Sequence, residues 1–419
     1  MAEIVKESLK SKKNTPKIQF TSYQVFVVGV LAFLQFTIIL DFMILSPLGA
    51  TLMPALQINA SQFGLVVSAY AFSAGISGIM AAGFADRYDR KKLLMFFYFG
   101  FILGTLLCGL APNFHFLLGA RIVTGLFGGV IGSIVAAIST DLFPIEARGR
   151  VMGFIQTAFA ASQIMGLPFG LFLAGRWGWH SPFLLIVAFS LIAGIVIFKY
   201  LKPIKDHLGK KSDQNPFHHL VTTLKNKRYL LAFAATSLLS IGGFMIMPFA
   251  SAFSVHNLGI DLQHLPLVYM VTGVSSMIFG PFIGRAADAY GKYNVFIFGT
   301  LVSIAMVILF THLEQTTLPL FMLINATMFL GISSRMIPSQ ALMSAVPTMA
   351  SRGSFMSMSA SIQQISGGLG SALAGAIVVT SADGRIEHFD KVGYVVAGSS
   401  LFTLYLMYLI HLRINDKKD

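Results

Sequence analysis

Apolar runs of membrane length recur along this 419-residue chain almost without interruption. A helix that crosses the hydrocarbon core of a bilayer needs about 20 consecutive apolar residues. Twelve such runs are predicted, at 24–45, 62–84, 93–112, 114–143, 151–174, 182–201, 229–254, 265–287, 294–312, 317–344, 354–380 and 393–412. Little chain is left between them for a soluble domain. The expected fold is all-α, integral to a membrane, with twelve transmembrane helices.

The charge pattern orients these helices. A net charge of +13 would suit nucleic acid if it covered one face of a soluble domain. Here the basic residues occupy short connections instead. An even number of spans puts both tails on one side, and 25 of the 30 Lys and Arg residues fall on that side. That excess marks the cytoplasmic face, so cytoplasmic termini are expected, in a bacterial cell (inner) membrane. The first 22 residues are polar and basic, and the run after them is too long for a signal-peptide core. They read as a retained tail. The single cysteine, Cys108, lies in an apolar run and excludes an intramolecular disulfide.

The longest polar stretch, 203–228, divides the chain into an N-terminal six-helix bundle (1–202) and a C-terminal one (229–419). The halves look related. Asp86, Asp89 and Arg90 correspond to Asp288, Gly291 and Lys292 at an offset of 202, while Pro144 and Arg148-Gly149 correspond to Pro347 and Arg352-Gly353 at 203 to 204. Two pseudo-symmetric bundles around a central cavity are the architecture of many secondary transporters.

One connection is unusually charged. "GFADRYDRKK" (83–92) holds four basic and two acidic residues, and "GRAADAYGKY" (284–293) echoes it in the second half. With these two loops the chain resembles the major facilitator superfamily over essentially its whole length. That family's loop signature reads G-x-x-x-D-R-x-G-R-[RK]. Ala82, Asp86, Arg87, Asp89, Arg90 and Lys91 align with its defined positions, so both glycines are replaced. The second copy keeps Gly284, Asp288, Gly291 and Lys292. The resemblance implies a cytoplasmic gate in which Asp86 meets the positive end of the helix starting near 351–354 and Arg90 reaches Asp141. Arg87, Lys91, Arg148, Asp288, Lys292 and Arg352 complete the cluster. The alternative is that these charges only set topology.

Asp41 is the one acidic residue well inside a predicted span, since Asp141 falls at the linker-side end of the fourth. On insertion scales a mid-span Asp costs about 2.5–3.5 kcal/mol, so it needs a partner or a wet cavity. Arg121 stands at similar depth in the fourth span, within "RIVTGLFGG", which fits a family pattern R-x-x-x-G. The chain most resembles the drug/proton antiporter branch, which implies proton coupling at Arg121. Protonation of Asp41 would then free Arg121. A permanent structural pair is the other reading. Arg335, deep in the tenth span, finds no acid within spans seven to twelve. It would bind an anionic substrate group, bond to Gln340, Gln363 or Gln364, or reach Asp41 across the cavity. Gln35, Gln156, Gln163 and Asn325, with Gln363 and Gln364, either line the cavity or join helices.

Catalytic motifs are missing. There is no H-E-x-x-H, G-x-S-x-G or C-x-x-C, and the ten histidines lack ligand spacing. No enzyme activity, cofactor or metal is expected, and an intramembrane enzyme or receptor finds little support. The expected function is proton-coupled export of a small organic molecule that is anionic, zwitterionic or amphipathic, with a proton-coupled importer or uniporter as the alternative. The expected partners are a small-molecule substrate, protons and membrane lipid, not nucleic acid, and the expected state is a monomer. "GLPFG" (166–170) departs from the G-P-x-x-G-G usual in the branch's antiporters, which weakens the inference of export. Trp177 and Trp179, in "RWGWHSPF", are expected at headgroup level.

Overall fold

The computed structural model describes residues 19–81, 87–205, 208, 222–348 and 351–415. In chain order they form α1 (Ser22–Ile44), α2 (Gly49–Leu56), α3 (Ala60–Ala81), α4 (Arg90–Gly109), α5 (Phe114–Leu142), α6 (Ile145–Ala161), α7 (Leu167–Trp177) and α8 (Ser181–Tyr200). The second half holds α9 (Lys227–Ile246), α10 (Ala250–His256), α11 (Leu265–Tyr290), α12 (Lys292–Thr311), α13 (Leu318–Met343), α14 (Arg352–Ile377) and α15 (Phe389–Asn415), with strands β1 (Val379–Thr380) and β2 (Ile386–Glu387) before α15. A π-helical turn, Ser162–Gly166, joins α6 to α7 into one span. The fold is the expected one, two six-helix bundles.

Local chemistry explains where several helices begin. Thr21 and Gln24 form a reciprocal capping box at the start of α1. The Asn113 side chain accepts the Phe116 N–H at the start of α5, and Asp89 accepts the Lys91 N–H at the start of α4. Each fills a donor that the first helical turn leaves without a partner. Eleven spans are long and apolar enough to cross a membrane by composition alone. The twelfth, α14, is as long, but glycine and serine dilute it.

Those small residues have a use. The strongest packing in the molecule runs between α3 and α14, where glycines let two backbones touch. A Cβ on Gly64 would stand 2.8 Å from the Ser371 carbonyl oxygen and 3.0 Å from the Gly375 Cα. Further along, a Cβ on Gly75 would stand 2.9 Å from the Ser361 carbonyl oxygen. Near the end of α3, one on Gly78 would be 3.0 Å from the Ser361 Oγ. The seam therefore joins the halves along most of the membrane's thickness.

The other contacts between halves gather on the side away from the linker. Span one and span seven both break at a proline, Pro47 and Pro248, and continue as α2 and α10, which pack together. The Ser251 hydroxyl donates to the Ser46 carbonyl at 3.0 Å, the Phe42 and Phe244 rings lie 5.7 Å apart, and the Ala60 N–H donates to Thr380 Oγ1 at 3.2 Å. A Cβ on Gly273 of α11 would be 3.0 Å from the Ile164 side chain in the π turn. Beyond that turn α6 hardly touches α11, and Phe154, Phe159, Met277 and Phe282 are exposed. The halves are thus closed on the far side and parted along this seam on the linker side.

Three details differ from the sequence reading. The segment after the first span is helical, because the chain bends at Pro47 and resumes as α2. Span eleven stops at Ile377 rather than 380, where the chain turns into a two-strand hairpin. Trp177 is 72% exposed and suits the interface, but Trp179 is 5% exposed and packs on His180 and Phe183 instead.

Overpacking a close helix contact costs about 1–3 kcal/mol. Gly64→Val should therefore lower the thermal unfolding midpoint in detergent. Gly29→Ala, where nothing lies within 4 Å of the added methyl, should leave it unchanged or slightly raised. Equal effects of the two substitutions would contradict the seam.

Candidate functional site: a buried ion pair and two charge clusters

The charged loop between spans two and three is where the first half is tied together. Asp89 caps α4, and its Oδ1 also accepts the Ile204 N–H at 3.2 Å, while the Arg90 N–H donates to the Ile204 carbonyl at 3.2 Å. Arg90 Nε lies 3.0 Å from Asp141 Oδ2. Lys91 Nζ donates to the Phe198 carbonyl at 2.9 Å, near the end of α8. Arg148 donates to the Phe143 and Thr140 carbonyls at 3.0 and 2.7 Å, at the end of α5. Cations at helix C-termini and an anion at an N-terminus are the favourable arrangement for helix dipoles.

On the other half, Asp288 ends α11 exposed, Lys292 opens α12 and Arg352 opens α14 exposed. The ion pairs among the described residues are Arg90–Asp141, Arg121–Asp41 and Arg385–Asp383, and each stays within one half. Arg87 is exposed. The contact anticipated for Asp86 lies outside the described residues.

Within the first bundle, Arg121 Nη1 donates to Asp41 Oδ2 at 2.9 Å, and the two side chains are 1% and 0% exposed. The Thr105 hydroxyl donates to Asp41 Oδ1 at 3.1 Å. The Tyr70 ring lies 4.5 Å from the Arg121 guanidinium carbon, within cation–π range. The carboxylate therefore accepts on both oxygens, and α1, α3, α4 and α5 each supply one member of the cage. Gly104 and Gly125 allow the approach. A Cβ on Gly104 would stand 2.7 Å from the Thr124 backbone nitrogen. The pair was legible as the one acid deep within a span and its depth-matched arginine. Thr105 and Tyr70 were not singled out, because one hydroxyl in an apolar run gives no sign of where it points.

Arg335 has a different environment. It is 7% exposed, its Nε is buried without a partner, and its guanidinium makes no hydrogen bond or ion pair among the described residues. It makes no bond to Gln340, Gln363, Gln364 or Asp41, the other partners the sequence offered, and Asp41 is bonded to Arg121 and Thr105. Gln340 is exposed on α13, while Gln363 and Gln364 are half-buried on α14. Gln35 on α1 and Gln163 in the π turn are half-buried, and Gln156 on α6 is exposed. Asn325 bonds back to the Phe321 carbonyl of its own helix at 3.4 Å.

With this architecture in view, comparison with known proteins settles the family. A model of the Major Facilitator Superfamily matches residues 31–371 and 232–418. The chain belongs to that superfamily. It is 27% identical over 378 residues to the uncharacterized MFS-type transporter YceJ of Bacillus subtilis, covering 88% of this chain and 93% of that one. It is 28% identical over 250 residues to the multidrug resistance protein MdtG of Serratia proteamaculans, covering 58% and 60%. Among solved structures, the nucleoside transporter NupG superposes with a TM-score of 0.72 at 16% identity, over 92% of this chain and 98% of that one. A bacterial homologue of the human lysosomal transporter Spinster, in an inward-facing and unoccupied conformation, gives 0.69 at 14% identity, over 94% and 96%. The protein is therefore a multi-pass membrane transporter of this superfamily.

Removing one member of a buried ion pair costs about 3–5 kcal/mol, because the other charge is left uncompensated. Asp41→Leu should lower stability by that order in thermal unfolding, and Asp41→Leu with Arg121→Met should recover much of it. Asp41→Asn keeps an acceptor for Arg121 and should cost less than Asp41→Leu.

Proposed function

We propose that this protein exports a small organic molecule in exchange for protons, by alternating access across the cytoplasmic (inner) membrane of a bacterium. The observation that carries the reading is the Asp41–Arg121 pair, a single carboxylate buried in a cage of Arg121, Thr105 and Tyr70. Both of its oxygens accept hydrogen bonds, so the cage suits the deprotonated form. The linker side, taken as cytoplasmic from its excess of Lys and Arg, is the side on which the halves are parted. A carboxylate that has released its proton in a state open to the cytoplasm is what proton-driven export requires before cargo enters. Protonation of Asp41 after reorientation would remove its charge, release Arg121, and favour return. Similarity to MdtG, named for multidrug resistance, supports export of an organic cargo.

In this cycle the two bundles, 1–202 and 229–419, are the moving units and 203–228 joins them. When the cytoplasmic side closes, Asp86 and Asp288 meet the other half beside Arg87, Arg352 and Lys292. Arg90, Lys91, Asp141 and Arg148 hold the first half rigid enough to present that surface. Gln35, Gln156, Gln163 and Asn325 contribute polar contacts to the cargo between the bundles.

The complete burial of the pair favours a second reading, a permanent structural bridge in a facilitator that ignores the proton gradient. Inside-out vesicles separate the two. With an acid interior, uptake of a zwitterionic fluoroquinolone should collapse when the gradient is dissipated. Asp41→Asn should remove that dependence. Uptake that persists without a gradient, and is unchanged by Asp41→Asn, would leave the facilitator.

A further inference from the structure

Besides Arg90 at the very start of α4, two arginines are buried within the spans, and they are treated differently. Arg121 is 1% exposed and has a carboxylate, with an aromatic face beside it. Arg335 is 7% exposed and has neither; the Nε of each arginine is buried without a partner, but only Arg121 has its charge met by a carboxylate. A guanidinium out of water and without a counter-charge is among the most unfavourable groups a membrane helix can carry. Nothing in the packing of α13 explains its retention. Its neighbour Ser334 meets α12, where a Cβ on Gly299 would stand 2.6 Å from the Ser334 Cβ. That contact would be served equally by an apolar residue at 335.

The internal repeat adds a second observation. Arg335 of α13 corresponds to Gly132 of α5 at the same offset of 203 that relates Pro144 to Pro347. Nothing lies within 4 Å of the place where a Cβ on Gly132 would stand. The position is open in the first bundle and filled by an unpaired cation in the second. Arg335 lies eight residues before the end of α13, about 12 Å along the helix from its linker-side end. That is the side on which α6 and α11 are parted.

We infer that Arg335 is the anchor for an oxyanion on the cargo, a carboxylate or phosphate on an otherwise apolar or aromatic molecule. A guanidinium presents its N–H donors in a planar fork that matches either group in a bidentate fashion. This inference rests on the transport reading and divides the labour between the bundles, with the proton site in the first and the anion site in the second. An empty transporter would carry an uncompensated charge in α13, and cargo would supply the missing partner.

The test compares purified full-length wild type with Arg335→Gln and Arg335→Lys by thermal unfolding at fixed ionic strength. The probes are 1-naphthoate, 1-naphthyl phosphate, neutral 1-naphthamide and, separately, phosphatidylglycerol in the micelle. We expect naphthoate or naphthyl phosphate, but not the amide, to raise the midpoint of wild type. Arg335→Gln should melt higher than wild type without ligand, because it removes an unpaired buried charge, and should bind the anion roughly 10- to 100-fold more weakly. Arg335→Lys should retain a weakened response. The inference is overturned if Arg335→Gln melts lower than wild type without ligand, if the amide acts like the anions, or if no anion shifts wild type. Stabilisation by phosphatidylglycerol alone would assign the oxyanion to a lipid and also overturn it. Since these readouts need no proton gradient, they stand apart from the vesicle experiment, and either result can fail without the other.

Discussion

Inside a bilayer there is no water to complete a hydrogen bond or to screen a charge, and that constraint organises this molecule. Backbone groups meet it by forming helices. The Asp41 carboxylate and the Arg121 guanidinium meet it by bonding to each other, with Thr105 on the second carboxylate oxygen. Helix ends that reach the linker side meet it through side chains that cap them, Asp89 at the start of α4, Lys91 near the end of α8 and Arg148 at the end of α5. Arg335 is the exception among these groups, and its lack of a partner makes it the most informative residue in the second bundle.

Seen this way, the charged loop at 83–92 does more than orient the chain. Four hydrogen bonds or ion pairs from Asp89, Arg90 and Lys91 reach α5, α8 and the start of the linker. The loop binds three helix ends and the start of the linker into one unit on the linker side. A bundle that moves as a body needs such a brace at the end left without its partner. The second copy of the motif has lost its first arginine, and its Gly291 adopts a positive φ of 94° where the first copy has the capping Asp89. The two loops have therefore taken different roles despite a common origin in the repeat.

The architecture was legible in the sequence because a membrane span is a property of composition over about 20 residues, which survives almost any local detail. Asp41 and Arg121 were legible for a related reason. Charges within spans are so few that they identify one another by depth. What escaped the sequence depended on three-dimensional proximity or on a single bend. Lys91 caps a helix more than a hundred residues further along the chain. Pro47 turns what looks like a loop into a short helix, and Pro248 splits the end of the seventh run into another, and the two pack together on the far side. The small residues of α14 made that span less apolar than its neighbours, and its contact with α3 identifies the helix they pack against. For Arg335 the sequence offered three partners, and in the structure it bonds neither to the glutamines nor to Asp41.

The glycine-lined seam between α3 and α14 has a mechanical consequence. Two helices in backbone contact over several turns resist being pulled apart at either end, but they resist a roll about their common line far less. If the bundles rotate as proposed, such a line would serve as the pin of a hinge, and the sparsely packed seam between α6 and α11 as the free edge of the door. A small rotation at the pin then produces its largest displacement where those two helices face each other. The opening through which a molecule enters need not be cut through the strongest interface, since it is set by distance from it.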